Sequence, residues 1–104
     1  MSTSVANKVN FLEKVLNSEK VVLVDFYADW CGPCKMLSHT INELEREYAD
    51  KSHIYRVNID ENPELAEQFG IVSIPTVIAF KNGNIIAREV GLKPKRTYED
   101  ILNR

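Results

Sequence analysis

The sequence predicts an α/β fold: a central mixed sheet of four to five strands with helices on both faces. Three observations carry that prediction. An apolar run at 21–28 leads into helical spacing and then into a second apolar run at 54–59, the pattern of a parallel βαβ unit with a right-handed crossover. Two more strand-like runs flank Asn82-Gly83, the strongest short hairpin signal. Amphipathic segments alternate with these runs, so each face of the sheet has a helix to cover it.

Taken in order, residues 1–6 are polar, with a short edge strand near 2–5. Residues 7–16 read as a helix, with Val9, Leu12, Val15 and Leu16 on one face. The run 21–28 is continuous rather than alternating, which predicts a strand covered on both faces. Residues 34–48 read as a helix whose apolar side is Cys34, Leu37, Ile41, Leu44 and Tyr48, with Lys35, Asn42, Glu45 and Arg46 solvated. Asn62-Pro63-Glu64 is a helix start: a capping side chain, a proline at the first helical position and an acid near the positive dipole end. Leu65, Ala66 and Phe69 give that helix a short buried face, and Gly70 suits its left-handed stop. Strands at 76–80 and 85–90 follow. Tyr98, Ile101 and Leu102 mark a last helix after Pro94.

The chain has 104 residues, which predicts one domain over 1–104. At this size about two-thirds of the unfolded surface can be buried, enough for a core without cross-links. A formal net charge of −2 supplies no field for nucleic acid. The first residues lack the long apolar segment of a secretory signal. The longest apolar run is too short for a bilayer, so no membrane partner and a cytoplasmic location are expected. Thiols are kept reduced there, and a close cysteine pair is more often catalytic or metal-binding than structural.

The two cysteines, Cys31 and Cys34, stand in Trp30-Cys31-Gly32-Pro33-Cys34 at the end of the first strand. Pro33 fits a first helical turn, which puts Cys31 at a helix N-terminus, where free N–H groups and the dipole favour a thiolate. Cys34 falls one turn in, on the apolar side. Cys31 is therefore the expected attacking thiol and Cys34 the resolving thiol. A zinc half-site would need two more ligands, and His39 and His53 have no motif-like spacing. Haem attachment would need histidine where Lys35 stands. Two inert buried thiols remain a competing reading. Asp25 lies six residues before Cys31, inside the apolar run. Buried, it would be a proton acceptor for Cys34; the rival readings are an exposed acid at a strand end and a structural ion pair.

Val-Asp-Phe-Tyr-Ala-Asp-Trp-Cys-Gly-Pro-Cys-Lys-Met (24–36) closely resembles the active-site segment of the thioredoxin family. The resemblance continues through Val-Asn-Ile-Asp-Glu-Asn-Pro (57–63), Gly-Ile-Val-Ser-Ile-Pro-Thr (70–76), Phe-Lys-Asn-Gly (80–83) and Val-Gly (90–91). It implies a thioredoxin fold and a monomeric protein-disulfide reductase with catalytic Cys31, Cys34 and Asp25. It implies no cofactor beyond a redox-active Cys31–Cys34 disulfide, client proteins with disulfides as substrates, and a thioredoxin reductase as electron donor. Pro75 matches the family's cis-proline, which would turn the backbone of Ile74 toward the cysteines for strand-like pairing with a client. Trp30, Gly32, Pro33, Ile59, Ile74, Pro75 and Gly91 would form the docking surface.

Four positions depart from the family pattern. Tyr27 replaces a frequent tryptophan, and Ser73 a frequent glycine. His39 replaces a helix-kinking proline. Arg56 replaces a lysine near the buried acid; arginine keeps its proton, so beside Asp25 it should hold that acid's pKa down. Two rival functions are a disulfide-forming or isomerising member of the same redox class and a pure binding subunit with incidental thiols. Gly32-Pro33 is the dipeptide of reducing members and argues against the first. The intact cysteine pair argues against the second.

Overall fold

The computed structural model describes residues 4–5 and 10–104, with Ser4, Val5 and Leu12 described by their backbone. Its elements are β1 (Ser4–Val5), a π-helical turn (Leu12–Leu16), β2 (Val21–Tyr27), α1 (Gly32–Glu47), β3 (Ser52–Asn58), α2 (Pro63–Gln68), β4 (Thr76–Lys81), β5 (Asn84–Val90) and α3 (Lys95–Leu102). The strands form one mixed sheet in the order β1-β3-β2-β4-β5. β1 and β2 run parallel to β3, and β4 runs antiparallel to both β2 and β5.

β2 is the central strand, and its side chains divide between two cores. Val21 and Leu23 point into one core with Leu37, Ile41 and Leu44 of α1 and Tyr98, Ile101 and Leu102 of α3. Val22, Val24 and Phe26 point into the other, with Phe11, Val15, Leu65 and Phe80. This is why the run does not alternate: a strand covered on both faces needs apolar residues on both of them, and Asp25 is the one charged residue within it.

Several local outcomes differ from the sequence reading: β3 starts at Ser52 and ends at Asn58 instead of spanning 54–59, α1 ends at Glu47 instead of 48, and three further differences bear on the core and the site. The helix expected over 7–16 is a π-helical turn over Leu12–Leu16; positions 7–9 of the prediction, Val9 among them, lie outside the described residues. The wider turn lets Phe11, which the predicted face omitted, pack beside Val15 with its ring 5.3 Å from Phe69 and 5.8 Å from Phe80. α1 begins at Gly32, two residues earlier than predicted, because Cys31 itself is its N-cap. The side chain of Asn62 does not cap α2. Its Nδ2 instead donates to the Asn58 carbonyl at 3.0 Å, fastening the start of α2 to the end of β3.

α2 ends as expected. Gly70 has φ +65°, its N–H donates to Glu67 O and that of Ile71 donates to Ala66 O, the paired bonds of a left-handed helix stop. At the hairpin Asn82 and Gly83 both have positive φ, which matches the twist of the two strands. α1 passes through His39 without interruption from Gly32 to Glu47.

Candidate active site

β2 runs out at Tyr27, and the chain turns sharply where the Cys31 N–H donates to the Ala28 carbonyl at 3.2 Å. Cys31 stays extended (φ −90°, ψ 114°) and α1 starts at the next residue, with Pro33 in its first turn, where a missing N–H costs nothing. The Cys31 Sγ accepts the Cys34 N–H at 3.1 Å. The Cα atoms of Cys31 and Cys34 are 5.3 Å apart and their sulfurs are joined as a disulfide. Once reduced, the Cys31 sulfur sits at the positive end of a helix of 16 residues, with a backbone N–H already aimed at it.

The two sulfurs open to different sides. Cys31 is 5% exposed, and its Sγ lies 3.9 Å from the Ile74 carbonyl oxygen. Cys34 is 1% exposed and lines a groove of about 400 Å³ together with Tyr27, Ala28, Asp29, Lys35, Ser38 and Arg56.

On the Cys31 side, Ile59 and Ile74 pack against the disulfide. The Ile74–Pro75 peptide is cis. Pro75 itself is buried, so its part in this surface is to set the path of Ile74. Its carbonyl accepts the Gly91 N–H at 2.8 Å, and Gly91 holds φ +89°, a conformation that glycine adopts freely. Thr76 Oγ1 donates to Ser73 O at 2.7 Å, bracing the same loop. Gly32 and Pro33 are exposed, and Trp30 is 69% exposed. The Trp30 ring is tethered: its Nε1 donates to Asp60 Oδ2 at 2.8 Å. Asp60 is in turn held by its own N–H, which donates to Asn58 Oδ1 at 2.9 Å.

Asp25 is fully buried and sits in register with Arg56 on β3 and Val77 on β4. Of the rival readings, the exposed strand-end acid is therefore ruled out. Arg56 Nε lies 3.4 Å from Asp25 Oδ2, an ionic contact that lacks hydrogen-bond alignment. Burial pushes the Asp25 carboxyl up to about 6, and the Arg56 charge pulls against that rise. The expected lowering by arginine is present, and desolvation outweighs it. The Arg56 guanidinium also stacks on the Tyr27 ring, 4.0 Å from its centroid.

His39 and His53 are exposed, and His53 stacks on Tyr55, away from the cysteines. Among the described residues no cluster of His, Cys, Asp and Glu is arranged to hold a metal ion. The sequence reading assigned no role to Asp60, and it did not see Tyr27 and Arg56 as a pair. A signal existed for both. In a parallel βαβ unit the C-terminal ends of the two strands are neighbours, so residues just after β3 must lie beside the cysteine loop.

A family model described as Thioredoxin matches residues 2–104. The chain is 46% identical over 104 residues to a protein named Thioredoxin from Griffithsia pacifica, covering 100% of this chain and 95% of that one. It is 45% identical over 87 residues to Thioredoxin of Bacillus subtilis (strain 168), covering 84% of each chain. It is 50% identical over 90 residues to Thioredoxin 2 of Chlorobaculum tepidum, covering 86% of this chain and 83% of the relative.

Proposed function

The chain belongs to the thioredoxin family and is a disulfide oxidoreductase, and from that premise we propose that it reduces disulfides in client proteins, with Cys31 attacking and Cys34 resolving. The observation that carries the assignment is the unequal setting of the two sulfurs. Cys31 caps α1 and adjoins Ile74; Cys34 is shielded and faces the groove.

In the first step the Cys31 thiolate attacks one sulfur of a client disulfide. A Cys31–client bond forms, the client S–S bond breaks, and the other client sulfur leaves as a thiolate. In the second, Cys34 gives its proton to Asp25 and attacks the Cys31 sulfur. The Cys31–Cys34 bond forms, the mixed disulfide breaks, and the second client sulfur leaves. Two electrons have passed to the client. A carboxyl that titrates near 6 accepts a proton usefully at neutral pH.

Client backbone pairs with Ile74 as an added strand, on a surface made by Trp30, Gly32, Pro33, Ile59, Ile74 and Gly91, with the buried Pro75 setting the path of Ile74. A thioredoxin reductase restores the dithiol. The chain acts as one domain and a monomer, in the cytosol, where recycling has a compartment that keeps thiols reduced. The reducing-type dipeptide Gly32-Pro33 supports this direction of electron flow.

The test is the redox potential of the Cys31/Cys34 couple together with disulfide reduction by the wild type, Cys31→Ser and Cys34→Ser. A reducing potential and no steady-state turnover in either variant are expected. Cys34→Ser should accumulate a mixed disulfide through Cys31. Trapping through Cys34 in Cys31→Ser would reverse the assignment, and an oxidising potential would reverse the direction.

A further inference from the structure

Asp25 and Tyr27 are two residues apart on β2, so their side chains leave the same face of the sheet. Arg56 is the register partner of Asp25, and Asn58 that of Tyr27, which makes Arg56 the diagonal neighbour of Tyr27. That spacing is within reach of a long side chain and a ring. The guanidinium uses both neighbours: its Nε lies 3.4 Å from Asp25 Oδ2, and its Cζ 4.0 Å from the Tyr27 ring centroid. Arg56 is still 21% exposed and lines the open groove beside Cys34. A free arginine there would gain rotamer entropy and hydration by swinging outward. Its contact with Asp25 is ionic and lacks hydrogen-bond alignment, so it restrains the guanidinium only in part. Among the described residues, the flat ring beneath it is the other restraint.

We propose that Tyr27 is a positioning residue for Arg56: its ring carries the guanidinium so that the charge lies against Asp25 instead of in the solvent. The two departures from the family pattern at 27 and 56 then act as one unit. The aromatic face decides how much positive charge the buried acid feels. The consequence for catalysis rests on Asp25 being the base proposed above; the placement of Arg56 does not.

Other charges face the same neighbourhood and are unchanged by a substitution at 27. Glu89 on β5 lies in the same transverse row through Val77. Tyr98 on α3 packs on this face, and burial and the Asp25 charge push its hydroxyl up to about 12. Asp29 and Lys35 stand at the rim of the groove.

The experiment is a carboxyl NMR titration of Asp25 in the oxidised protein, which needs no turnover. Losing Arg56 from its seat raises the Asp25 midpoint, whereas admitting water lowers it, so the sign separates the two effects. Tyr27→Leu is expected to move the midpoint up by about half a pH unit. Tyr27→Phe, which keeps the ring, should leave it in place. In an Arg56→Met background, Tyr27→Leu should add nothing. A downward shift, no shift, or the same upward shift without Arg56 overturns the proposal. The pH profile of mixed-disulfide resolution is read on the same variants. A profile that stays put while the midpoint moves sinks the base assignment and leaves the Tyr27 role standing.

Discussion

The indole N–H of Trp30 donates to the Asp60 carboxylate at 2.8 Å, joining the loop before α1 to the loop after β3. The bond keeps a largely exposed ring in one orientation at the edge of the disulfide. Asp60→Ala is expected to release it. An exposed hydrogen bond contributes about 1 kcal/mol, so KM for a protein disulfide should rise by about 3- to 5-fold with kcat retained. The chain's one tryptophan makes its fluorescence anisotropy a direct reading of the lost restraint. An unchanged KM with a freed ring would remove Trp30 from client docking.

Asp25 gives a pH-dependent prediction with a definite sign. Its carboxyl is raised from 3.8 to about 6, so the folded chain binds this proton more tightly than the unfolded chain. The acid therefore leaves stability untouched below 3.8, lowers it as pH climbs to about 6, and keeps it low above that. At 1.36 kcal/mol per unit the cost approaches about 3 kcal/mol. Asp25→Asn should exceed the wild type in stability by up to about 3 kcal/mol at pH 8 and by nothing below pH 4. Denaturant melts across that range check it, and a gain that does not vary with pH would contradict the burial argument.

Gly83 should not tolerate a side chain. Its φ is +79°, and a Cβ there would meet the Leu16 carbonyl oxygen at 3.0 Å. Gly83→Ala is expected to cost about 1–2 kcal/mol, or about 5–10 °C in Tm. Gly32 is the control: nothing lies within 4 Å of an added Cβ there, and its φ is not positive. Gly32→Ala should melt with the wild type.

The fold was legible where one physical rule governed a long stretch. The unbroken apolar run through Val22, Leu23 and Val24 announced a doubly covered strand. Asn82-Gly83 announced its turn through the φ it requires, and Cys31 its helix N-terminus through Pro33. The rest depended on contacts between distant segments. Asn62 has the chemistry of a helix cap, but the nearby Asn58 carbonyl takes its amide. Phe11 is buried because Phe69 and Phe80 leave room for its ring, a partnership no local pattern encodes. The acidity of Asp25 turned on magnitude: a neighbouring arginine was foreseeable, and the dominance of burial over its charge emerged from the packing of α1 and α3 on that face.

The shielding of Cys34 has a kinetic consequence. If Cys31 is the sulfur through which both mixed disulfides form, as proposed, the partner that supplies electrons and the partner that takes them must visit the Ile74 side in turn. Neither can be served while the other is docked. Steady-state reduction should therefore follow a double-displacement pattern, with parallel lines in double-reciprocal plots and each partner inhibiting competitively at excess. The carrier's throughput would be set by how quickly it lets go of one partner as much as by how tightly it holds the next.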